Sequence, residues 1–267
     1  MSVYVAFALG LVVTAALASW IATTAVGGRE IDVRSLRSRG EHVLQAAYDS
    51  FGPSGPFLLT ALSGTAAVIA VCWPAGVLFG AVEGPVDVPV FEWAQGRQYD
   101  DWMSVHAVLG EMGNRPQIQL VVLVASAVLA VIWRRRGWWI PPLALLSTYG
   151  TEKYGQSILA TVVDRGHPPT TLGTYPSGGC ARLLAVWGVL LVLVTLTWSL
   201  SRRVRILLWT LLAVAAYEEG YSRTYLLEHW FTDVLGGWLY GAMLLAVFGT
   251  ATTALVRRHC GRQLHPS

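Results

Sequence analysis

Charged residues are scarce in this chain: they make up 13% of its 267 residues, and the 19 basic residues include a single lysine, Lys153. Soluble domains carry about 25% charged residues, so the composition excludes an ordinary soluble protein. Hydrophobic residues reach 54%, and the mean hydropathy is +0.50. These values predict a polytopic membrane protein. The net charge of +3 and the lack of a basic stripe give no indication of nucleic-acid binding.

Cysteine is also rare. Cys72, Cys180 and Cys260 are the only three, and they fall at different depths of the membrane arrangement described below. Neither a disulfide framework nor a metal cluster is therefore predicted. We expect no redox chemistry, no metal and no other cofactor.

Seven apolar runs have roughly the 17 to 25 residues that a bilayer core requires. They are Val3–Val26, Pro56–Val82, Gln117–Trp133, Ile140–Val163, Ala181–Leu200, Val204–Ala216 with an extension to Gly220, and Asp233–Val256. The sixth run is the weakest because Glu218 and Glu219 interrupt it, and ionisable residues at membrane depth usually face a protein interior or a water-filled cavity. The predicted fold is all-α: a polytopic membrane helical bundle with a six-span core and one extra N-terminal span.

Arginines cluster on one side of this arrangement. They follow the first, third, fifth and seventh runs, as Arg29, Arg34, Arg37, Arg39, Arg134, Arg135, Arg136, Arg202, Arg203, Arg205, Arg257, Arg258 and Arg262. Because cytoplasmic loops carry the excess of basic residues, this side is predicted to be cytoplasmic. The segments Glu83–Asn114, Asp164–Cys180 and Glu218–Asp233 then face outward, and the chain is predicted to be an integral, multi-pass plasma-membrane protein.

These patterns divide the chain into three parts. Residues 1–55 form an N-terminal transmembrane anchor and a basic cytoplasmic loop, residues 56–256 form the core, and residues 257–267 form a cytoplasmic tail. Between the second and third runs, Asp87–Gly113 alternates apolar and charged residues. This alternation predicts an interfacial helix on the outer leaflet.

The most informative pattern lies at the junction of the last two runs, where Ser222 and Arg223 are followed by His229 and Asp233. Arginine offers a planar fork of donors to phosphate oxygens, and serine adds a hydroxyl donor. Histidine can attack phosphorus once a carboxylate fixes its tautomer. If Tyr225–Leu235 is helical, His229 and Asp233 lie one turn apart and can meet. The alternative is a capped, solvated membrane boundary.

Two other outward segments carry groups that can bind an anion. The segment after the fourth run contains Arg165 and His167, which the following prolines keep in a loop. The segment before the fifth run contains Ser177, Gly178 and Gly179, where glycine lets backbone N–H groups approach an anion at a helix N-terminus. A serine-capped helix entrance is the alternative for this second segment. Three such segments on one membrane face predict a phosphate site.

With these residues identified, the chain resembles the type 2 phosphatidic acid phosphatase and haloperoxidase superfamily over roughly residues 56–256. The third motif of that family is Ser-Arg, five residues, His, three residues, Asp, and it is complete here. The resemblance implies that His229 is the nucleophile, forming a phosphohistidine, and that Asp233 orients it. It implies that Arg223 and Ser222 bind phosphate. It also implies the membrane branch of the family, with six spans and the motifs at the outer face.

The first motif departs from the family pattern. Ala160 stands in the position of the usual lysine and His167 in that of an arginine, so Arg165 is the expected phosphate contact. Lys153 lies two helical turns, about 10 Å, before Ala160. It replaces the missing charge only if it reaches along the helix or the helix is displaced.

The second motif departs as well. Ser177 and Gly178 match, but Gly179 stands where the family has the histidine that protonates the leaving group. A lipid alcohol leaving group needs that proton, whereas a lipid monophosphate leaves a diphosphate as a comparatively stable anion. The missing acid is therefore compatible with a diphosphate such as a polyprenyl diphosphate. The alternative is that His167 acts as a relocated acid.

Three functions remain open on these grounds. The leading hypothesis is a metal-independent phosphohydrolase or phosphotransferase that acts on a lipid phosphate or polyprenyl diphosphate at the outer leaflet. The second is a catalytically weak or inactive relative that binds lipid phosphate. The third is an enzyme that ionises a prenyl diphosphate by carbon–oxygen cleavage to form a terpenoid. The expected partners are the lipid substrate and the membrane, and no protein partner is indicated.

Overall fold

The computed structural model describes residues 34–171 and 173–264, together with positions 4, 5, 7, 8, 10, 12 and 14; side-chain surroundings are described for those positions and for 42–171 and 173–259. Within these ranges the chain forms helices and turns without a β-strand. Of the predicted first span, Val3–Val26, seven positions are described, and the other 17 lie outside the described residues. The prediction of an all-α membrane bundle is confirmed.

The helices, numbered along the described part of the chain, are α1 (Arg34–Phe51), α2 (Gly55–Ala81), α3 (Val88–Gln95), α4 (Asp100–Leu109), α5 (Arg115–Ile132), α6 (Ile140–Val163), α7 (Gly178–Thr197), α8 (Arg202–Tyr225) and α9 (Phe231–Leu264). Proline occupies the first turn of α2, α5 and α6, where its fixed φ suits a helix start and its missing N–H costs nothing. Ser201 caps α8 by accepting the Val204 N–H (3.3 Å). Local sequence thus sets several of the helix starts.

Four helical stretches in the described residues are long and apolar enough to cross a bilayer: His42–Ala81, Arg115–Ile132, Gly178–Thr197 and Phe231–His259. They correspond to the second, third, fifth and seventh predicted spans. The helices α6 and α8 match the fourth and sixth, with 24 residues each, but are less uniformly apolar. Their glutamates, Glu152, Glu218 and Glu219, are buried, as expected for ionisable groups at membrane depth. The count of seven spans and the boundaries after residues 55 and 256 stay predictions.

Helix α9 lies at the centre of the bundle, in contact with α2, α6, α7 and α8. Its side chains Leu244 and Phe248 are fully buried in the core. Small residues let α7 approach α9 closely: Gly241 packs on Ala181, and Gly188 lies at the same contact. Such pairs are common between membrane helices, where close backbone approach provides the packing energy. The first turns of α7 and α9 therefore lie side by side at one end of the bundle.

The segment between α2 and α5 forms a five-residue π-helix, Glu83–Asp87, that leads directly into α3, followed by α4. The prediction of a single helix over Asp87–Gly113 was therefore wrong, and its location on the outer leaflet stays a prediction. The helices α3 and α4 are separated at Gly96–Tyr99. The Tyr225 hydroxyl, at the end of α8, donates to the Arg97 carbonyl oxygen (2.8 Å) and accepts the Tyr99 N–H (3.0 Å). Backbone groups freed at a helix break need such partners, so Tyr225 stabilises the break and holds the segment over the end of α8.

A turn over residues 226–230 separates α8 from α9, as expected for the junction of the last two runs, so the condition considered above, a helix over Tyr225–Leu235, is not met. Leu227 has a φ of 60°, a left-handed conformation that a helix does not continue through. The carbonyl oxygen of Arg223, in the last turn of α8, accepts the N–H of His229 (3.3 Å). This turn, rather than helical periodicity, sets the position of the histidine.

Candidate active site

A polar pocket of about 360 Å³ opens where α7 and α9 begin and α8 ends. It is lined by Asn114, Arg115, Pro116, Gln156, Gly173, Thr174, Gly178, Gly179, Arg182, Arg223 and His229. Four of these, Gly178, Gly179, Arg223 and His229, were predicted as site residues from the sequence. Two of the three predicted anion-binding segments, the one with Arg223 and His229 and the one with Gly178 and Gly179, therefore supply predicted residues to the pocket lining. Arg165 and His167, from the segment after α6, do not line the pocket.

His229 lies beside Asp233, which occupies the first turn of α9. Its Nδ1 is buried and 3.6 Å from the carboxylate Oδ2, slightly beyond hydrogen-bond length. The same oxygen accepts the Trp230 N–H (3.3 Å), and Asp233 is fully buried. Because Nδ1 faces the carboxylate, Nε2 is the ring nitrogen left for the pocket. The arrangement can orient the imidazole as a nucleophile.

Arg223 is held by acceptors on several sides. Its Nε and Nη2 donate to Oε1 of Glu219 (2.9 and 2.8 Å). Nη2 also donates to the Gly110 carbonyl oxygen and to Oδ1 of Asn114, at 2.6 Å each. Nη1 pairs with the partly exposed carboxylate of Glu228. The guanidinium is therefore fixed in direction, and an incoming anion competes with Glu228 for the Nη1 side.

Ser222 is not brought to the pocket. Its hydroxyl is completely buried, donates to Oε1 of Glu218 (2.6 Å) and lies 2.7 Å from Nδ1 of His106. His106, from α4, also lies 3.1 Å from the same glutamate oxygen. This cluster ties α4 to α8 behind Arg223. The role of Ser222 as a phosphate ligand stays a prediction, and its position supports a structural contribution.

Arg165 is also directed away from the pocket, into a buried ionic cluster. Its Nη2 donates to Oδ2 of Asp87 (2.7 Å), and its Nη1 donates to the Thr232 hydroxyl (2.7 Å). Nη1 lies 3.4 Å from Oδ1 of Asp233. Asp87 also accepts the backbone N–H of Thr232 (2.8 Å) and its hydroxyl (2.6 Å). Arg165 therefore contacts the carboxylate that faces His229 rather than the pocket itself.

Two further predicted residues lie apart from the pocket. His167 is exposed, and its Nδ1 is 2.9 Å from the Pro168 carbonyl oxygen. Lys153 lies on α6 with its ammonium 5.7 Å from the ring centre of the exposed Tyr154. His167 therefore does not lie in the pocket as a relocated acid, and Lys153 does not lie there as a replacement for the missing lysine of the first motif.

The start of α7 brings glycine backbone between two arginine side chains. The N–H of the buried Ser177 donates to the Asp233 carbonyl oxygen (2.9 Å), which fixes this turn against α9. A Cβ on Gly178 would lie 2.7 Å from Nη1 of Arg182, and one on Gly179 would lie 3.1 Å from Nε and Nη2 of Arg223. Glycine is therefore required for both guanidinium groups to pack here.

Arg182 is a lining residue that sequence reasoning did not select. Its Nε donates to the Gly113 carbonyl oxygen (2.9 Å), and its Nη1 lies 3.4 Å from Oε1 of the buried Glu152. The signal was present, since an arginine inside an apolar run usually faces a protein interior or a polar cavity. Arg115 and Gln156 were missed as well: Arg115 lies just before the predicted third run, Gln156 lies within the fourth, and neither belongs to a motif.

Three guanidinium groups and three carboxylates thus surround the pocket. Arg223 is paired with Glu219 and Glu228, and Arg182 with Glu152. Arg115 is exposed and makes no ion pair with any residue that the structure describes. Among those residues no three His, Cys, Asp or Glu side chains are grouped as metal ligands. The chemistry available in the pocket is imidazole nucleophilicity with anion binding by guanidinium and amide groups.

A second, apolar cavity of about 560 Å³ lies next to the polar pocket, between α5, α7 and α8. The two share a border along α7, where Arg182 lines the polar pocket and Leu183 the apolar cavity. They meet again at the start of α5, where Pro116 lines the polar pocket and Gln117 lines the apolar cavity. An amphiphile with a polar head and an apolar chain fits this pairing.

Comparison with known proteins gives two matches. A family model described as the PAP2 superfamily matches residues 120–257, just over half of the chain. A solved structure, the first transmembrane PAP2 type phosphatidylglycerolphosphate phosphatase from Bacillus subtilis, is similar at 20% identity and a TM-score of 0.60, over 69% of this chain and 93% of that one. None of the curated proteins matches. The resemblance stated from the three motifs is confirmed.

Proposed function

The chain belongs to the PAP2 superfamily, and on this premise we propose that it is a membrane phosphohydrolase that removes phosphate from a lipid phosphate or lipid diphosphate. One observation carries the proposal: His229 and Arg223 of the complete third motif line one polar pocket, with the buried Asp233 beside the imidazole. The adjoining apolar cavity supports a lipid substrate. The similar solved structure is that of a phosphatidylglycerolphosphate phosphatase, which agrees with this substrate class.

In the proposed reaction, Nε2 of His229 attacks the phosphorus atom, and the bond to the leaving oxygen breaks with its electron pair on that oxygen. Asp233 keeps the imidazole oriented and stabilises the positive charge that develops on it. Arg223 and the backbone N–H groups near Gly179 stabilise the charge on the phosphoryl oxygens. Water then attacks the phosphorus atom of the phosphohistidine and loses a proton to solvent. The bond between phosphorus and Nε2 breaks, which releases inorganic phosphate and restores the free imidazole.

The leaving group in this scheme departs without a protonating histidine, because Gly179 replaces it. His167 is exposed and outside the pocket lining, so its position does not support the role of a relocated acid. An anionic lipid monophosphate needs a proton less than a lipid alkoxide does. The pocket therefore favours diphosphates over monophosphates as substrates.

The alternation of basic loops supports an outward-facing site in the plasma membrane. The substrate would then be reached from the outer leaflet, with its phosphate in the polar pocket and its chain toward the bilayer. No metal takes part in the proposed steps, since the nucleophile and the anion-binding groups all come from the chain.

The test uses detergent-solubilised protein and a panel of lipid monophosphates and diphosphates, with inorganic phosphate and pyrophosphate measured separately. We expect phosphate release and an acid-labile ³²P-labelled enzyme. His229→Ala should abolish both, and Asp233→Asn should lower the rate by about 10²-fold or more, since an unoriented imidazole loses tautomer control. His42→Ala, at an exposed position on α1, is the matched control and should keep full activity.

Other outcomes would support the remaining candidates. Binding that requires Arg223, without turnover of any substrate, would leave a non-catalytic lipid-phosphate-binding protein, the reading favoured by Ala160, His167 and Gly179. Pyrophosphate release with a new hydrocarbon product would indicate carbon–oxygen cleavage. Unchanged phosphate release by the His229→Ala protein would exclude the phosphohistidine mechanism.

A further inference from the structure

Arg182 belongs to none of the three motifs, yet its side chain is built into the pocket. The residue is only 7% exposed and lines the same cavity as Arg223 and His229. Its Nε and Nη1 are held by Gly113 and Glu152, whereas Nη2 has no hydrogen-bond partner among the residues that the structure describes. The guanidinium is therefore fixed in direction with one amino group left for a ligand.

One turn of the chain holds both buried guanidinium groups of the pocket. In the turn that precedes α5, the Gly110 carbonyl oxygen accepts from Arg223 (2.6 Å), and the Gly113 carbonyl oxygen accepts from Arg182 (2.9 Å). The Gly113 N–H donates to Glu219 (3.0 Å), the partner of Arg223. The two cations are thus placed by a shared backbone element rather than independently.

Two consecutive glycines in the first turn of α7 contact these cations. Arg182 packs over Gly178, and Arg223 packs over Gly179. Because the two guanidinium groups lie against one helical turn and line one pocket, they suit two linked phosphate groups better than one. The first motif supplies no cation to the pocket, because Arg165 is committed to Asp87.

We propose that Arg182 binds the second phosphate of a lipid diphosphate, the one that leaves with the lipid, while Arg223 and His229 face the phosphate that is transferred. This inference rests on the proposed function and names the substrate class of the same site. The bond from the terminal phosphorus to the bridging oxygen breaks, and its electron pair stays on the lipid monophosphate. Arg182 neutralises that charge by charge-assisted hydrogen bonds, which offsets the lack of a protonating group at Gly179.

The first test measures binding without turnover. Solubilised His229→Ala protein is titrated with inorganic pyrophosphate and with inorganic phosphate at fixed salt. We expect pyrophosphate to bind about tenfold to a hundredfold more tightly, the range of one charge-assisted hydrogen bond. Because Arg182→Gln alone would leave Glu152 buried and unpaired, it is combined with Glu152→Gln. This pair of changes should abolish the preference, and His42→Ala, at an exposed position on α1 far from the pocket lining, is the matched control and should keep it.

Arg182→Lys provides a second variant in case the protein with both Arg182→Gln and Glu152→Gln fails to fold. It keeps a cation beside Glu152 but loses the planar fork. We expect it to weaken pyrophosphate binding several-fold and to leave phosphate binding unchanged. An undiminished preference for pyrophosphate in either Arg182 variant overturns the proposal.

The second test separates this proposal from the proposed function. In proteins with His229 intact, Arg182→Lys should lower the rate on a polyprenyl diphosphate about tenfold or more and change the rate on the matching monophosphate far less. If turnover requires His229 but both substrates respond equally to Arg182→Lys, the phosphatase stands and the second-phosphate site fails. If no substrate turns over but the pyrophosphate preference depends on Arg182, the site stands and the phosphatase fails.

Discussion

Gly179 has no room for a side chain. A Cβ at this position would contact Oε1 of Glu219 and lie 3.1 Å from two nitrogens of Arg223. A histidine in this position, as in the family pattern, would therefore have to displace the Glu219–Arg223 pair. A histidine side chain at position 179 and the Glu219–Arg223 ion pair therefore cannot occupy this space together.

We predict that Gly179→Ala lowers kcat/KM at least tenfold on every phosphate substrate that the protein accepts. The added methyl group would push Arg223 from its acceptors, and one displaced charge-assisted contact to phosphate accounts for a loss of that size. Gly150→Ala is the matched control, because a Cβ on that α6 residue meets nothing within 4 Å. A fully active Gly179→Ala protein would show that Arg223 moves freely and does not bind phosphate.

The sequence was informative about residues whose chemistry is carried by local spacing. His229, Arg223, Gly178 and Gly179 fall into short motifs, and the pocket brings these four together. Asp87 and Asn114 were missed because their partners are distant along the chain: Asp87 and Thr232 are separated by 145 positions. No periodicity in a single sequence encodes a contact of that range.

Asp87 joins two elements that are far apart in the chain, since it lies just before α3 and binds the first turn of α9. It accepts the Thr232 N–H and hydroxyl and pairs with Arg165, which in turn lies 3.4 Å from Asp233. All of these groups are buried. The start of α9, and with it the carboxylate that faces His229, is therefore fixed from outside the three motifs.

We predict that Asp87→Asn lowers kcat with little change in KM. Without the Asp87 charge, Arg165 is left with the partly exposed Glu83 and the buried Asp233, each 3.4 Å away. It then draws Asp233 from His229, while the phosphate contacts at Arg223 are unaffected. Removing one partner of a buried pair also costs about 3–5 kcal/mol of stability, measurable as a lower unfolding midpoint. The matched control, Asp101→Asn, changes an exposed residue of α4 and should behave as wild type. A change confined to KM would contradict this account.

The helices themselves were predicted well where apolar length decided the outcome. The bounds of α6 agree with the predicted Ile140–Val163 run. The break at Gly96–Tyr99 was missed, because the alternation of apolar and charged residues continues through it. The junction of the last two runs was predicted, but the exact turn at residues 226–230 was not. Tertiary contacts made by Tyr225 and by the Arg223 carbonyl oxygen stabilise these breaks.

At the scale of the whole molecule, the alternation of basic loops predicts a membrane orientation that can be measured. We predict that Gly166→Cys reacts with a membrane-impermeant thiol reagent on intact cells, because this residue is exposed and a side chain there meets nothing within 4 Å. The matched position is Arg135→Cys, on the basic loop after α5, which should react only after permeabilisation. Both changes are made with Cys260→Ser, and the native Cys72 and Cys180 are buried. Labelling in the opposite order would reverse the topology.

Helix α9 has 34 residues, which corresponds to about 51 Å of length. The span from Asp233 in its first turn to Arg257 is about 36 Å, against a hydrocarbon core of about 30 Å. A helix does not stretch, so a thicker bilayer is accommodated by a change of tilt or by local deformation of the lipid. In the proposed topology, bilayer thickness therefore sets the depth of the pocket below the headgroups, and we expect the acyl-chain length of the host lipid to change the rate of the proposed reaction.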